Sequence, residues 1–226
     1  MYVDDRDSLN LTKTGIYEPQ ETALIKKLIR PGYVVLDIGA NIGYFTLLMA
    51  KQAKQVHAFE PEPRNFQTLQ KNIELNKLSN VKLYNAGVAE TIQRTTLHLC
   101  DTNRGMHRIY PSQWCNEGTT EIQLVKIDDL IENADFIKMD IEGAELGALK
   151  GMKKLLGMGD PTVMMEFHPP SIIEYGAKPR DVYDFMLEIG YDIKIPSMGE
   201  VSFEELEKTS IEKIGTNIIC TKSHKG

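Results

Sequence analysis

The stretch Val34-Val35-Leu36-Asp37-Ile38-Gly39-Ala40-Asn41-Ile42-Gly43-Tyr44-Phe45-Thr46-Leu47-Leu48-Met49 decides how the chain is read. It opens as a β-rich apolar run that contains one acid, Asp37. A glycine-bounded turn, Gly39 to Gly43, follows, and then an apolar segment of helical length. This order predicts a strand, a tight turn and a helix. A residue without Cβ lets the backbone turn sharply and lets a ligand come close. The helix beyond aims its unpaired N–H groups into the turn.

The chemistry around the turn narrows the ligand. The dinucleotide fingerprint G-x-G-x-x-G has a middle glycine, and an acidic residue about 20 positions further on. Here Asn41 stands at the middle position, between Gly39 and Gly43. Asp37, just before the turn, would repel a pyrophosphate but suits an ammonium or sulfonium group. Glu60 ends the next apolar run, Val56-His57-Ala58-Phe59. A carboxylate there can take both ribose hydroxyls. A nucleoside with a cationic tail satisfies both acids, and S-adenosylmethionine is the candidate. Two alternatives share part of the pattern. An NAD-dependent oxidoreductase would use the same turn and Glu60, but the missing glycine and Asp37 count against it. A non-catalytic nucleoside-binding domain would use the same residues without turnover.

Length and composition bound the rest. The 226 residues are read as one domain, with 1–16 as an N-terminal arm, and the 42% apolar content fills a core. A formal charge of −6 argues against a nucleic-acid backbone as the main partner. No apolar run is long enough to suggest a membrane span. The polar start MYVDDRDSLNL does not read as a signal peptide. Cys100, Cys115 and Cys220 show no C-x-x-C spacing, so reduced thiols in a cytoplasmic protein are expected, with neither disulfide nor zinc.

Along the chain, Leu24, Ile25, Leu28 and Ile29 share a helical face that Pro31-Gly32 ends. Strands are expected at Val34–Ile38, Gln55–Glu60, Val81–Asn85, Asp135–Asp140 and Thr162–Phe167, with helices between them. Phe66, Leu69 and Ile73 form the stripe of one helix. Leu146, Leu149, Met152 and Leu156 form another, and Val182, Phe185, Met186 and Ile189 a third. Tyr191–Ile195 and Thr216–Thr221 are expected to pair antiparallel, with only the short segment 201–206 between them. Alternation lapses between strands three and four. There Thr95–Leu99 and Glu121–Lys126 read as an inserted β-hairpin. The polar loop between them, about 100–120, holds Asn103, Arg104, His107, Arg108, Tyr110 and Trp114 and reads as a cap over the site. The whole predicts an α/β fold with a doubly wound, mostly parallel sheet. In such a sheet a ligand lies beyond the carboxyl ends of the strands, where Asp37, Glu60, Asn85, Asp140 and Glu166 to His168 fall.

Four motifs carry a resemblance: Tyr17-Glu18-Pro19, the Val34–Gly43 stretch, Ala58-Phe59-Glu60-Pro61, and Phe136-Ile137-Lys138-Met139-Asp140-Ile141-Glu142-Gly143-Ala144-Glu145. The last of these is the specific one. Through them the chain, from about Gly15 to His168, resembles the FkbM-type family of S-adenosylmethionine-dependent methyltransferases. The resemblance implies a seven-stranded, Rossmann-like class I methyltransferase sheet with an antiparallel last strand. It also implies methylation of a hydroxyl oxygen, often on a sugar or a polyketide-type product. Tyr17, Glu18, Asp37, Gly39, Ala40, Asn41, Gly43, Glu60, Pro61 and Asp140 are the expected cofactor residues. Asn85, Ala86 and Gly87 are placed to line the adenine. Asp140, Glu142 and His168 remain open as the base that deprotonates the acceptor, and Glu142, His107 and His168 as substrate contacts. Their spacing does not demand a metal, and none is assigned. A nucleic-acid amino-methyltransferase would carry a Pro-Pro-aromatic run where this chain has Ile141-Glu142-Gly143. The acceptor's identity and the oligomeric state stay open.

Overall fold

The computed structural model describes residues 1–100, 103–113, 115–213 and 215–223. Trp114, and Asp101 at the start of the expected cap, lie outside the described residues. The elements run α1 (Leu11–Thr14), α2 (Pro19–Leu28), β1 (Val34–Ile38), α3 (Tyr44–Ala50), β2 (Gln55–Phe59), α4 (Pro63–Leu75) and β3 (Val81–Tyr84). Then come β4 (Gly87–Val88), β5 (Gln93–His98), β6 (Thr119–Val125), a 3-10 turn (Ile127–Asp129), β7 (Phe136–Met139), α5 (Glu145–Gly151) and α6 (Lys153–Met158). The chain continues through β8 (Thr162–Phe167), α7 (Pro169–Tyr175), α8 (Pro179–Glu188), β9 (Tyr191–Ile195), β10 (Gly199–Glu200), α9 (Phe203–Lys213) and β11 (Thr216–Lys222).

The main sheet has the order β10-β9-β11-β8-β7-β1-β2-β3. Strands β8, β7, β1, β2 and β3 are parallel to their neighbours in that order. β11 inserts antiparallel between β8 and β9, as expected for the last two long strands. The sheet counts eight strands rather than seven because a two-residue edge strand, β10, folds back on β9. The hairpin β5–β6 forms a separate three-stranded sheet with β4. Among the described residues no helix is long and apolar enough to cross a membrane.

Central strands are covered on both faces, so they read as apolar runs. Leu36, Ile38, Ile137 and Met139 face the core shared with α5 and α8. Val35, Phe136 and Met164 face the opposite core, where Ile25 of α2 and Ile29 at its C-cap pack with Phe45 and Met49 of α3. Ile25 is fully buried, which contributes roughly 1.5–3 kcal/mol for such a side chain.

Four elements differ from expectation. The arm forms the single turn α1, whose first N–H groups, Leu11 and Thr12, donate to the Asp7 carboxylate at 2.8 and 3.0 Å. The expected helix through Leu146 and Leu156 is broken at Met152, because the Asp128 carboxylate accepts from Lys154 and Leu155 N–H at 3.0 and 2.9 Å and starts α6 afresh. Pro169-Pro170, a pair that by residue type would stop strand β8, also opens the helix α7, with Pro in the first turn and His168 as the cap. The segment 201–206 runs into the longer helix α9.

Candidate active site

The turn after β1 is built from left-handed backbone. Gly39, Asn41 and Gly43 have φ of 84°, 51° and 93°, and asparagine is among the few side-chain-bearing residues that tolerate this region. Gly39 and Ala40 N–H both donate to the Phe59 carbonyl, at 3.0 and 2.9 Å, which closes the turn against the end of β2. Glu60 then completes it. Its Oε2 accepts from Asn41 N–H at 2.8 Å and its Oε1 from Glu62 N–H at 2.9 Å. The carboxyl is 5% exposed, and burial, against those two hydrogen bonds, pushes its pKa up to about 7.

Beyond this turn lies an open cleft whose empty space, counted out into the solvent at its mouth, is about 1040 Å³. Gly39, Ala40, Asn41, Glu60 and Pro61 line one wall, and Ala86 and Gly87 line the wall beyond β3. Tyr17, Asp140 and Glu142 also line it, as does His107, whose charged neighbours include Glu62 and Arg104. The structure thus brings eleven of the sequence-derived residues into one cavity. The others stand behind it. Asp37 is fully buried, with Oδ2 accepting from the Thr46 hydroxyl at 2.5 Å. Burial raises its pKa, opposed by the nearby Lys138. Asn85 staples the β2–α4 turn, its amide donating to the Glu60 and Pro61 carbonyls at 2.9 and 3.1 Å. The Nδ1 of His168 caps α7 through Ser171 N–H at 3.3 Å and the Ser171 hydroxyl at 2.6 Å. Gly43 and Glu18 support the wall from outside, Glu18 with a left-handed φ of 41°.

Lys138 lies within the Phe136–Glu145 motif, and the fold gives it a role. It is 6% exposed, and its Nζ lies 3.4 Å from Asp140 Oδ2 and 5.0 Å from the Phe45 ring centre. Burial alone would lower its pKa, but Asp140, Asp37 and Glu18 together hold it above the ordinary lysine value. Lys138 therefore stays charged and organises the three acids around it.

Among its described residues the cap is pinned at two points, Arg104 and Arg108. Arg104 forms a two-pronged pair with Asp5 at 2.6 and 3.0 Å, and its carbonyl accepts from the Asn65 amide at 2.9 Å. The N-terminal arm thus clamps the cap and adds Leu9 to the cleft wall. At the other end Arg108 reaches Glu142 at 3.3 Å and Glu174 of α7 at 2.5 Å. Tyr110 donates to the Glu142 carbonyl at 2.8 Å. His107 accepts from Cys100 N–H at 3.0 Å through Nδ1, while its buried Nε2 has no partner. Burial lowers its pKa to about 4, so it is neutral. One expectation is corrected: Cys100 and Cys115 are joined in a disulfide, and only Cys220 is free and buried. Fifteen residues separate the pair, but Leu99 exchanges backbone bonds with Glu117 and Gly118 at 3.0 Å, which extends the hairpin and sets the two sulfurs together.

The Methyltransferase FkbM domain model matches residues 37–193, which spans the turn, the cap and the cleft lining apart from Leu9 and Tyr17. The chain belongs to the FkbM methyltransferase family. A relative, Methyltransferase 1 of Beauveria bassiana, is 29% identical over 52% of this chain and 57% of its own, so the chain spans little more than half of that protein. The 2-O-methyltransferase NoeI of Sinorhizobium fredii is 24% identical over 63% of this chain and 68% of its own. SMU.1697c of Streptococcus mutans, assigned as a methyltransferase and solved in complex with SAH, superposes with a TM-score of 0.55 at 12% identity, covering 91% of this chain and 97% of its own. At that identity the likeness shows the fold.

Membership of the FkbM methyltransferase family implies S-adenosylmethionine as the cofactor. The cleft suits it, because three carboxyl groups, Glu60, Asp140 and Glu142, line it. The two cations on its wall, Lys138 and Arg104, are already paired with Asp140 and Asp5. The carboxyl groups also set a pH response. Burial pushes Glu60, Glu142 and Glu145 up to about 7 and, with Asp140 next in weight, Glu166 up to about 9. Above pH 6.5 the folded protein therefore holds protons that the unfolded chain has lost, and stability falls as pH rises through about 7 to about 9. Three histidines lowered by burial, His57, His107 and His168, act the other way, but only below their ordinary pKa of 6.5. The ligand-free melting temperature is expected to drop between pH 6.5 and pH 9. A cationic ligand favours the ionised carboxylates, so S-adenosylmethionine should narrow that drop. A melting temperature that rises over this interval would contradict the burial of these acids.

Proposed function

We propose that this FkbM methyltransferase methylates a hydroxyl oxygen of a small molecule. When bound, S-adenosylmethionine supplies a methyl carbon activated by its sulfonium. In this reading Glu60 holds the ribose hydroxyls, beside the backbone of Gly39, Ala40, Asn41 and Gly43. Pro61, Ala86 and Gly87, braced by Asn85, flank the adenine. Tyr17 and Asp140 face the methionine end, with Glu18, Asp37 and Lys138 fixing the field behind them. The corner between Asp140 and Glu142 is left for the acceptor.

The observation that carries the reading is Glu142. It lines the cleft and sits at a left-handed φ of 56°, a backbone state that is rare outside glycine and clusters at functional sites. Burial first, and then Asp140, push its carboxyl up to about 7, against the pull of Arg108. A base that titrates near the working pH is the best placed to take a proton from a hydroxyl as the oxygen attacks. Asp140 is engaged by Lys138, and His168 spends Nδ1 on the cap of α7. Glu142 is therefore the base this reading favours. His107, neutral and with a free Nε2 in the cleft wall, is suited to contact the acceptor. The name of NoeI, a 2-O-methyltransferase, supports oxygen as the receiving atom.

The test uses S-adenosylmethionine labelled in the methyl carbon, with a panel of alcohols and glycosides. Label should appear as a methyl ether by its NMR shift. Glu142→Gln is expected to cut turnover by about 100-fold or more, while the calorimetric affinity for S-adenosylhomocysteine holds. Label in an amine, or unchanged turnover in that variant, would overturn the reading.

A further inference from the structure

Arg108 of the cap stands behind the cleft wall, between two carboxyl groups. Its backbone is tied to the end of β5: Arg108 N–H donates to the His98 carbonyl at 3.1 Å, and its own carbonyl accepts from His98 N–H at 2.7 Å. Its side chain is 4% exposed. Nη1 lies 2.5 Å from Glu174 Oε2 and 3.2 Å from the Ser112 hydroxyl. Nη2 lies 3.3 Å from Glu142 Oε2 and 3.4 Å from the Ser171 hydroxyl. The two prongs are unequal: the short contact goes to α7 and the long one to the cleft residue. The turn that carries Glu142 is itself packed on the start of α7. A Cβ on Gly143 would stand 2.4 Å from the Ser171 carbonyl oxygen. The Tyr110 hydroxyl lies 2.8 Å from the Glu142 carbonyl and 3.2 Å from that of Ser171. Backbone contacts therefore fix where Glu142 begins, and the Arg108 guanidinium meets its carboxyl end.

We propose that Arg108 is a positioning residue for methyl transfer: anchored on Glu174, it steadies the Glu142 carboxylate that deprotonates the acceptor. The proposal rests on the reading of Glu142 as the base and adds the residue that keeps it one. The need for a cation follows from the surroundings. Burial, Asp140 and Glu145 all push the Glu142 carboxyl up, Arg108 pulls it down, and about 7 is the balance. The Glu166 carboxyl of β8 is a further neighbour of Glu142, and His168 feels the charge of Arg108 from the cap of α7. Tyr110, raised to about 12, is neutral here. An opposite charge within a few ångströms lowers a carboxyl pKa by about 1–3. Without Arg108, Glu142 would therefore stay protonated at neutral pH and could accept no proton. The length of the contact also matters. At 3.3 Å it falls just beyond the usual range of about 2.7–3.2 Å for an N–H donor and an oxygen. It favours the ionised form without tying it up as a short two-pronged pair would. Glu174, by taking the short contact, holds Arg108 at that distance.

The experiment reads Glu142 directly. Carbon-13 NMR of the glutamate side-chain carboxyl groups is followed through a pH titration of the full chain loaded with S-adenosylhomocysteine. The Glu142 signal is assigned by its loss in Glu142→Gln. In the parent it should titrate at about 7. Arg108→Gln should move the midpoint up by about one pH unit or more. Glu174→Gln, which removes an acid and frees the guanidinium for Glu142, should move it down. Arg108→Lys keeps the charge and should leave it near the parent's. Turnover is then measured with methyl-labelled S-adenosylmethionine and the alcohol or glycoside of the panel above that takes the label. Arg108→Gln should lower kcat at pH 7 at least about tenfold, with a pH profile displaced the same way as the NMR midpoint. Arg108→Lys, which lacks the two-pronged fork, should recover part of that loss. Affinity for S-adenosylhomocysteine should hold in all three variants, because neither Arg108 nor Glu174 lines the cleft. A salt bridge that served folding alone would lower the melting temperature without moving the Glu142 midpoint in opposite directions. If Arg108→Gln does not fold, Glu174→Gln, at a side chain 33% exposed, and Arg108→Lys still decide the direction. A Glu142 midpoint that stays put when either charge is removed, or parent-like kcat at pH 7 in Arg108→Gln, would overturn the proposal. The NMR arm needs no acceptor, so it judges Arg108 apart from the methyl-transfer reading. Parent-like turnover in Glu142→Gln would remove the base itself, and this proposal with it.

Discussion

Gly39→Ala is expected to lower the melting temperature by roughly 6–12 °C, for a loss on the order of 3 kcal/mol. The first part of that loss is conformational. Gly39 has a φ of 84°, where a Cβ costs about 1–2 kcal/mol. The second part is steric. A Cβ on Gly39 would stand 2.0 Å from the Asp140 carbonyl oxygen and 3.0 Å from its carbonyl carbon, both backbone atoms at the end of β7. Neither can swing aside as a flexible side chain does, so β1 and β7 must separate just where Asp140 meets the cleft. The variant should therefore also lose affinity for S-adenosylhomocysteine, because the wall that moves is the wall of the site. Gly15→Ala is the matching control. Gly15 has a φ of 69° with nothing within 4 Å of a Cβ, so only the conformational part, about 1 kcal/mol, applies. Thermal melts of the two variants decide the matter, and equal shifts would mean that the Asp140 contact does not constrain the turn.

Glu60→Ala is expected to reduce affinity for S-adenosylmethionine by about 100-fold or more, read by calorimetry at pH 8. Two losses combine. A carboxylate worth a pair of charge-assisted hydrogen bonds, each about 1.5–3 kcal/mol, is removed from the cleft wall. The Asn41 and Glu62 N–H groups it satisfies are left without their acceptor, so the turn that carries Gly39 to Gly43 loosens. Glu60→Gln keeps the shape and one acceptor and should fall between parent and alanine. It should also flatten the rise in affinity between pH 6 and pH 8 that ionisation of Glu60, pushed up to about 7, produces in the parent. Parent-like affinity in Glu60→Ala would move the ribose elsewhere in the cleft.

The parallel half of the fold was legible because buried parallel strands are continuous apolar runs that turn residues punctuate. β1, β2, β7 and β8 were found this way, and so were the acids at their ends. The broken helix α5–α6 was not, because the break comes from Asp128, a capping carboxylate 26 and 27 residues before the N–H groups it accepts from. Nor was α7, because Pro169-Pro170 serves equally as a strand stop and as a helix start. The disulfide was hidden for a related reason: nothing local to Cys100 or Cys115 says that β5 and β6 pair so as to bring residue 99 beside 117 and 118. Arg104 and Arg108 were visible as cap residues, but their partners Asp5 and Glu174 lie 99 and 66 residues away.

By itself the sequence determined the chemical inventory of this methyltransferase: a glycine turn between two strand-end acids, a third acidic cluster after β7, and a cap rich in cations and aromatics. These follow from local periodicity and residue type, which require no knowledge of distant neighbours. Only the tertiary structure decided which acids meet a ligand. Burial moved Asp37 behind the turn and brought Lys138 forward among three carboxyl groups. It raised the carboxyl groups of Glu60 and Glu142 to about 7. Desolvation and charge pairing depend on what packs around a side chain, and that is a property of the folded whole.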